Sequence, residues 1–196
     1  MLLAIRCYLA PVFIVAGLNK AMHFNATVEW FGNPDWGLGL PLPAVMAALA
    51  IFAEVVGGFA LLLGWFTRLF ALLLSVTMAV AAATVHWKNG WFAIAPSEPS
   101  SSIASLLAKI GFPGAEASLA NSEQVGQRLQ RARGILQEYG NYDWLTESGN
   151  LVVLNNGVEF AVTYLLMLLV LLCLGAGRWL SVDYWLTPKR RFSQPR

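Results

Sequence analysis

Four long runs of apolar residues, separated by more polar stretches, divide the chain. The runs cover about residues 2–22, 42–65, 69–87 and 158–177, and each holds roughly the 20 mostly apolar residues that a membrane-spanning helix needs. Because hydrocarbon offers the backbone no hydrogen-bond partners outside the helix itself, such runs are expected to be helical. The pattern therefore predicts an all-α fold, an integral membrane protein built as an antiparallel four-helix bundle.

The residues between the third and fourth runs, about 95–156, have mixed polarity and predict a helical insertion. This insertion opens with helix breakers at 96–102, and a short amphipathic helix is predicted over 103–110. A longer helix is predicted over 122–139, with Asn121 as its cap and Gly140 as its stop. Its apolar stripe consists of Val125, Leu129, Ala132, Leu136 and Tyr139. We expect an extracytoplasmic cap that packs on its own protein, with a place on the bilayer surface as the alternative.

Lysine and arginine in the short loops predict the orientation of the spans. The turn at 66–68 contains Arg68, and the tail after the fourth run contains Arg178 and the basic cluster 189–191. The loop at 23–41 has neither lysine nor arginine. Because cytoplasmic loops carry the excess of these residues, both termini are expected in the cytoplasm. The first run lacks a clear cleavage site and is interpreted as a retained helix.

Composition supports the membrane assignment and excludes other classes. Hydrophobic residues make up 57% of the 196 residues and charged residues only 12%, which excludes a disordered chain and an ordinary cytosolic enzyme. The net charge of +2 is too small for a nucleic-acid partner, and the basic residues do not form the clustered stripe of a nucleic-acid-binding face. The two cysteines, Cys7 and Cys173, lie inside apolar runs and are interpreted as small hydrophobic residues.

Five ionisable residues fall inside or at the ends of the predicted spans: Arg6, Lys20, Glu54, His86 and Glu159. A charge at the centre of a spanning helix costs about 2.5–3.5 kcal/mol, so each needs a partner or a purpose. Arg6 and Glu54 differ in depth by roughly 10 Å, a gap that two long side chains could largely span. Lys20, His86 and Glu159 share one depth and could meet across the bundle. These residues either fix helix register as buried pairs or form a proton-active or anion-binding site with Glu54 at its centre.

Histidines and aromatic residues gather near the predicted outer boundary. His23 and His86 have no recognisable ligand spacing, so a haem or metal site is not expected, and each should instead have a hydrogen-bond partner. The aromatic residues are interpreted mainly as an interfacial belt, with two pairs as candidates for a lid over the bundle. The belt comprises Trp30, Phe31, Trp36, Trp87, Trp91, Phe92, Tyr142 and Trp144, and the lid candidates are Trp30–Phe31 and Trp91–Phe92.

A set of short motifs in all four runs resembles the DoxX family of bacterial inner-membrane proteins. These motifs are Arg6, Gly17-Leu18-Asn19-Lys20, Glu54-Val55-Val56-Gly57-Gly58, Leu63-Gly64-Trp65-Phe66-Thr67-Arg68, His86, Asn89-Gly90-Trp91-Phe92, Asn156-Gly157-Val158-Glu159-Phe160, Tyr164, Gly175-Ala176-Gly177-Arg178 and Ser181-Val182-Asp183. The insertion at 95–156 is longer than the simplest family pattern, so its role does not carry over. The family name comes from a small subunit of an archaeal thiosulfate:quinone oxidoreductase, and relatives are linked to redox complexes.

The resemblance implies an accessory subunit of a quinone-linked redox complex in the inner membrane. In this hypothesis an apolar ligand such as a quinone binds in a polar-lined core, with a redox protein as partner. Glu54 and His86 are the candidates for proton transfer, and the ligand-binding candidates are Arg6, Lys20, Glu54, His86, Asn89, Glu159 and Trp30. The alternative is a non-enzymatic scaffold or assembly factor whose buried charges are structural. A small transporter is a third interpretation, and it would require a homodimer.

Overall fold

A computed structural model describes residues 1–96 and 103–186, and within these ranges the chain is all-helical. Its helices are α1 (Leu2–Met22), α2 (Phe24–Gly32), α3 (Pro43–Leu63), α4 (Thr67–Ala81), α5 (Ile103–Lys109), α6 (Ala115–Tyr139), α7 (Tyr142–Thr146), α8 (Glu159–Leu174) and α9 (Val182–Leu186). A π-helical turn, Ala82–His86, and a 3-10 turn, Trp87–Asn89, follow α4. The predicted breakers at 97–102 and the basic residues Lys189, Arg190, Arg191 and Arg196 lie outside the described residues.

Three helical stretches of the described chain are long and apolar enough to cross a membrane: Leu2–Met22, Pro43–Leu63 and Thr67–Asn89. They confirm the first three predicted spans. The fourth predicted span is shorter than expected, because α8 contains 16 residues. Such a helix is about 24 Å long, against a hydrocarbon core of about 30 Å. It ends at Leu174 because Gly175 adopts a left-handed conformation with φ of 75°.

The chain divides into two compact units, and the first comprises residues 1–80 together with the described part of 163–196. In this unit α1 and α3 pack closely where glycines face the opposite helix. A Cβ on Gly17 would lie 2.7 Å from Cγ2 of Val55, and one on Gly58 would lie 2.6 Å from Cγ1 of Ile14. Small residues allow such approach of two backbones. The core takes residues from α1, α3, α4 and α8: Leu9, Phe13, Ala53, Leu61, Ala71, Leu74, Leu168 and Leu171.

The second unit comprises residues 81–162, where two loop segments pair through their backbones. The amide of Gly157 donates to the carbonyl of Phe92 at 3.0 Å, and the amide of Val158 donates to the carbonyl of Gly90 at 3.0 Å. An isolated antiparallel bridge joins Ile94 and Leu154. These bonds satisfy backbone groups that have no helical partner.

The helices of the insertion differ in part from the sequence-based prediction. The short helix appears as α5, and the longer one ends at Tyr139 as expected, but α6 begins at Ala115 rather than at 122. Asn121 is therefore not its cap, because Gly114 (φ of 80°) makes the turn that starts the helix. Of the predicted apolar stripe, Val125 and Leu129 are buried, Leu136 is half-buried, and Ala132 and Tyr139 are exposed.

Candidate functional site

An ion pair between α1 and α3 is the main polar feature inside the first unit. The ammonium of Lys20 donates to both carboxylate oxygens of Glu54, at 2.9 Å to Oε1 and 2.7 Å to Oε2. The Glu54 side chain is 3% exposed, whereas that of Lys20 is 28% exposed. The carboxylate is therefore enclosed by protein and the ammonium reaches the surface of the unit.

Local sequence explains how the pair forms. Lys20 lies in the last turn of α1, one turn after Gly17, and Glu54 lies in the middle of α3. A Cβ on Gly17 would lie 2.9 Å from the Cβ of Glu54, so glycine is needed for the two helices to approach at this level. Thr27 of α2 donates through Oγ1 to the carbonyl of Lys20 at 3.3 Å, which ties the start of α2 to the end of α1.

The charge and donor count of the pair determine what it can bind. A lysine ammonium has three N–H donors. Two of them bond Glu54, and Lys20 makes no further side-chain bond within residues 1–96 and 103–186. One donor of a partly exposed ammonium is thus available to an oxygen acceptor, such as a carbonyl or a phenolate.

Arg6, the expected partner of Glu54, is engaged elsewhere. Its guanidinium is fully buried and donates five hydrogen bonds to backbone carbonyls, a number that equals the five N–H donors of an arginine side chain. The acceptors are Leu61 and Leu62 at the end of α3, and Ala176, Trp179 and Leu180 after α8. Pairing between Arg6 and Glu54 is therefore wrong as a prediction, and Arg6 instead joins two chain segments.

Asp183 is a polar residue that the sequence reasoning did not single out for a role. Its carboxylate accepts the amides of Phe66 at 2.7 Å and Thr67 at 2.8 Å, at the start of α4. These amides have no partner within the helix, and a carboxylate at a helix N-terminus satisfies them. The backbone amide of Asp183 also donates to the carbonyl of Gly64 at 2.8 Å. The sequence signal was an aspartate distant from α4, which local capping rules do not detect.

In the second unit the predicted site residues hold loops together. Nδ1 of His86 lies 2.8 Å from the carbonyl oxygen of Asn156, and Nδ2 of Asn89 donates to the same oxygen at 3.1 Å. The Glu159 carboxylate accepts the amide of Ala93 at 3.0 Å. Lys20 therefore bonds Glu54, whereas His86 and Glu159 bond backbone groups of the loops.

An unpredicted network of asparagines surrounds these loops. Asn155 donates to the carbonyls of Asn89 at 2.8 Å and Phe92 at 3.0 Å, and it accepts a bond from Asn121 of α6 at 2.8 Å. Asn121 also donates to the carbonyl of Asn89 at 3.0 Å. Two side-chain amides that bond each other and make three bonds to loop carbonyls are a tertiary arrangement that no sequence spacing reveals.

Each histidine has the predicted hydrogen-bond partner. Nδ1 of His23 lies 3.0 Å from the carbonyl oxygen of Asn19, and His86 contacts Asn156 as described above. The rings of Trp30 and Phe31 meet edge-on with centroids 5.6 Å apart, and Phe31 is buried. Within the described ranges no three His, Cys, Asp or Glu side chains converge as metal ligands. Both cysteines are free and exposed on their apolar helices.

Comparison with known proteins identifies a matching family model and similar membrane and redox-named proteins. Residues 1–87 match the sequence model of the family described as DoxX. The inner membrane protein YphA of Escherichia coli (strain K12) is 32% identical over 99 residues, which cover 50% of this chain and 68% of YphA. The chain belongs to the DoxX family. A second relative of this DoxX protein, "Putative oxidoreductase CatD" of Bacillus subtilis (strain 168), is 30% identical over 86 residues, covering 44% of the chain and 60% of CatD. No solved structure matches the chain.

The family match contains the ion pair and most of the predicted site. It runs through α1 to α4 and the following π-helical turn, so it includes Arg6, Lys20, Glu54 and His86. Asn89 and Glu159 lie beyond it. With its three span-capable helices, the DoxX protein is a multi-pass membrane protein whose surroundings include a lipid bilayer.

Proposed function

We propose that this DoxX protein is an accessory subunit of a quinone-linked redox complex in the bacterial inner membrane, with the Lys20–Glu54 pair as its ligand site. The observation that carries the proposal is the pair itself: an enclosed carboxylate bonded to a partly exposed ammonium between two apolar helices. An intramembrane ion pair is expensive and usually marks a ligand or proton pathway. The name of YphA supports the inner membrane, and the name of CatD supports redox chemistry.

The proposed topology is an antiparallel four-helix bundle in which α8 is the fourth crossing. It is supported by the shared core, to which α1, α3, α4 and α8 all contribute. Both termini and Arg68 would face the cytoplasm, and the insertion at 95–156 would lie on the other side. The Trp30–Phe31 and Trp91–Phe92 pairs remain candidates for its lid.

In the proposed site, Lys20 would orient the ligand and Glu54 would hold or release a proton. The free donor of Lys20 fits a quinone oxygen, which accepts hydrogen bonds in both the oxidised and reduced ring. A bound quinone would supply the two-electron chemistry, and the electrons would come from a partner redox protein. His86, in the second unit, is a separate candidate for proton transfer, because its Nε2 carries no hydrogen bond within the described residues. Asn89, Glu159 and Trp30 remain candidate ligand contacts.

The test is a titration of the purified protein in nanodiscs with short-chain ubiquinone and menaquinone analogues, followed by quenching of tryptophan fluorescence. We expect saturable binding, with affinity lowered at least about tenfold by Glu54→Gln, because one well-placed charged hydrogen-bond system is worth about 1.5–3 kcal/mol. Glu29→Gln is the matched control, since it makes the same chemical change at an exposed position on α2. Absence of saturable quenching by either analogue would overturn the proposal.

A scaffold or assembly factor is the second candidate, and the saturated polar groups favour it. All five donors of Arg6 and both carboxylate oxygens of Asp183 are used for holding chain segments. The double variant Lys20→Met/Glu54→Leu separates the candidates, because an apolar pair of similar volume can replace a buried ion pair without loss of stability. A folded double variant that supports normal growth under redox stress identifies a scaffold; a folded variant without that function identifies a ligand site.

A further inference from the structure

One end of the first unit exposes six large apolar side chains, which we call the interfacial patch: Trp65, Phe66, Trp179, Leu180, Trp185 and Leu186. Their exposed fractions range from 41% for Trp65 to 79% for Trp185. Three of the six are tryptophans. A contiguous apolar surface of this kind normally marks an interaction site.

Hydrogen bonds to the backbone, most of them from side chains, hold together the two segments that carry the patch, although these come from distant parts of the sequence. Asp183 bonds Gly64, Phe66 and Thr67 in the α3–α4 turn. Arg6 donates through one nitrogen to the carbonyls of both Leu62 and Leu180, at 2.8 Å and 2.7 Å. The α3–α4 turn and the segment after α8 are therefore fixed side by side.

Two members of the patch adopt a backbone conformation that bulky residues rarely take. Phe66 and Leu180 both have φ of 44°, in the left-handed region. This conformation costs free energy for residues other than glycine, and it persists only where the surroundings fix it, often at functional positions. Both side chains nevertheless point outward, with 54% and 76% exposure, so the strain does not bury them.

The position of the patch indicates its surroundings. It adjoins the end of α3 and the start of α4, which are two of the span-capable stretches. A turn between two spans lies where the chain leaves the hydrocarbon, and tryptophan is enriched at this level of the bilayer. The patch thus continues the lipid-facing surface into the headgroup layer.

The exposed arginines around the patch favour a negatively charged headgroup. Arg68 and Arg178 are exposed beside it, and the guanidinium of Arg178 lies 5.8 Å from the ring centroid of Tyr184. The single acid of residues 60–68 and 175–186 is Asp183, whose carboxylate is bonded to backbone amides. Arginine pairs bidentately with phosphate oxygens.

We propose that the interfacial patch, with Arg68 and Arg178, binds the headgroups of anionic phospholipids, its tryptophans inserting among the glycerol groups while the arginines hold the phosphates. This surface is distinct from the Lys20–Glu54 site and needs no redox role. The occupant is a lipid rather than a protein because the patch is continuous with span-capable helices and carries tryptophan together with arginine.

The experiment uses the full-length protein in phosphatidylcholine nanodiscs, which expose both faces of the bilayer. Tryptophan quenching is compared for brominated phosphatidylglycerol and brominated phosphatidylcholine at equal mole fractions. We expect stronger quenching by phosphatidylglycerol, and a loss of that preference of about fivefold for each arginine removed in Arg68→Gln/Arg178→Gln. Lys88→Gln/Lys109→Gln, which removes two exposed cations from the second unit, should keep the preference.

Two further variants keep the result interpretable. Arg68→Lys/Arg178→Lys preserves charge and should retain most of the preference, which shows that the loss in the glutamine variant is electrostatic. Trp179→Phe/Trp185→Phe should remove much of the quenchable signal, whereas Trp36→Phe/Trp144→Phe, at exposed positions outside the patch, should leave the difference between the two lipids intact. Equal quenching by both lipids in the wild type, or an unchanged preference after removal of both arginines, would overturn the proposal.

Discussion

Removing one member of the Lys20–Glu54 pair should destabilise the protein by an amount that depends on which member is removed. Lys20→Met leaves a carboxylate that is 3% exposed and has lost its partner. Glu54→Gln leaves an ammonium that is 28% exposed and can turn toward water on its flexible stem. We therefore expect the lysine variant to lose more stability than the glutamine variant.

The magnitude follows from the geometry. Opposite charges about 4 Å apart attract by about 4 kcal/mol at an effective dielectric constant of about 20. Loss of one partner of a buried pair typically costs about 3–5 kcal/mol. Neutralising a stranded carboxylate at pH 7 costs about 4 kcal/mol, which sets a ceiling for Lys20→Met. We expect about 3–4 kcal/mol for Lys20→Met and about 1–3 kcal/mol for Glu54→Gln, whose amide can still accept one bond from Lys20.

The assay is unfolding by sodium dodecyl sulfate from mixed micelles, followed by far-ultraviolet circular dichroism. Lys20→Met/Glu54→Leu should recover most of the loss, since neither charge remains buried alone. Lys88→Met, at an exposed position of the 3-10 turn, is the control for the lysine change. A larger loss of stability in Glu54→Gln than in Lys20→Met, or single effects that simply add in the double variant, would contradict this prediction.

Three other substitutions test packing and capping. Gly17→Ala should destabilise the protein by about 1–3 kcal/mol in the same assay, because the added Cβ would meet α3. Gly134→Ala, whose Cβ would have nothing within 4 Å, should stabilise it by up to about 1 kcal/mol. Effects of the same sign for both variants would contradict this. Asp183→Ala should cost about 1–2 kcal/mol and speed hydrogen exchange at the start of α4, with Asp143→Ala as control. Asn155→Ala should speed hydrogen exchange in loop 89–95, while the exchange rates of α1 stay unchanged. Faster exchange in both regions would indicate global unfolding instead.

The hydrophobic pattern determined which parts of this chain are helical and apolar. The first three spans and α5 appear close to their predicted bounds, because apolar run length and helix breakers act locally. Local signals were less reliable at helix ends. Asn121 satisfied the sequence rule for a cap, yet α6 begins earlier, after Gly114. The side-chain amide of Asn121 instead donates to the carbonyl of Asn89 and to Oδ1 of Asn155, which lie far away in sequence.

Only the tertiary structure decided which charges meet. Residue depth suggested Arg6 as the partner of Glu54, but the close packing of Gly17 on Glu54 sets the register of α1 against α3. That register places Lys20 one turn after the contact and Arg6 about 16 Å before it, toward the start of α1. Arg6 then meets five carbonyls from two distant segments, which no spacing in the sequence encodes. The hydrophobic pattern of a segment indicates whether it prefers lipid or water. Which charged side chains pair depends instead on the relative register of the packed helices.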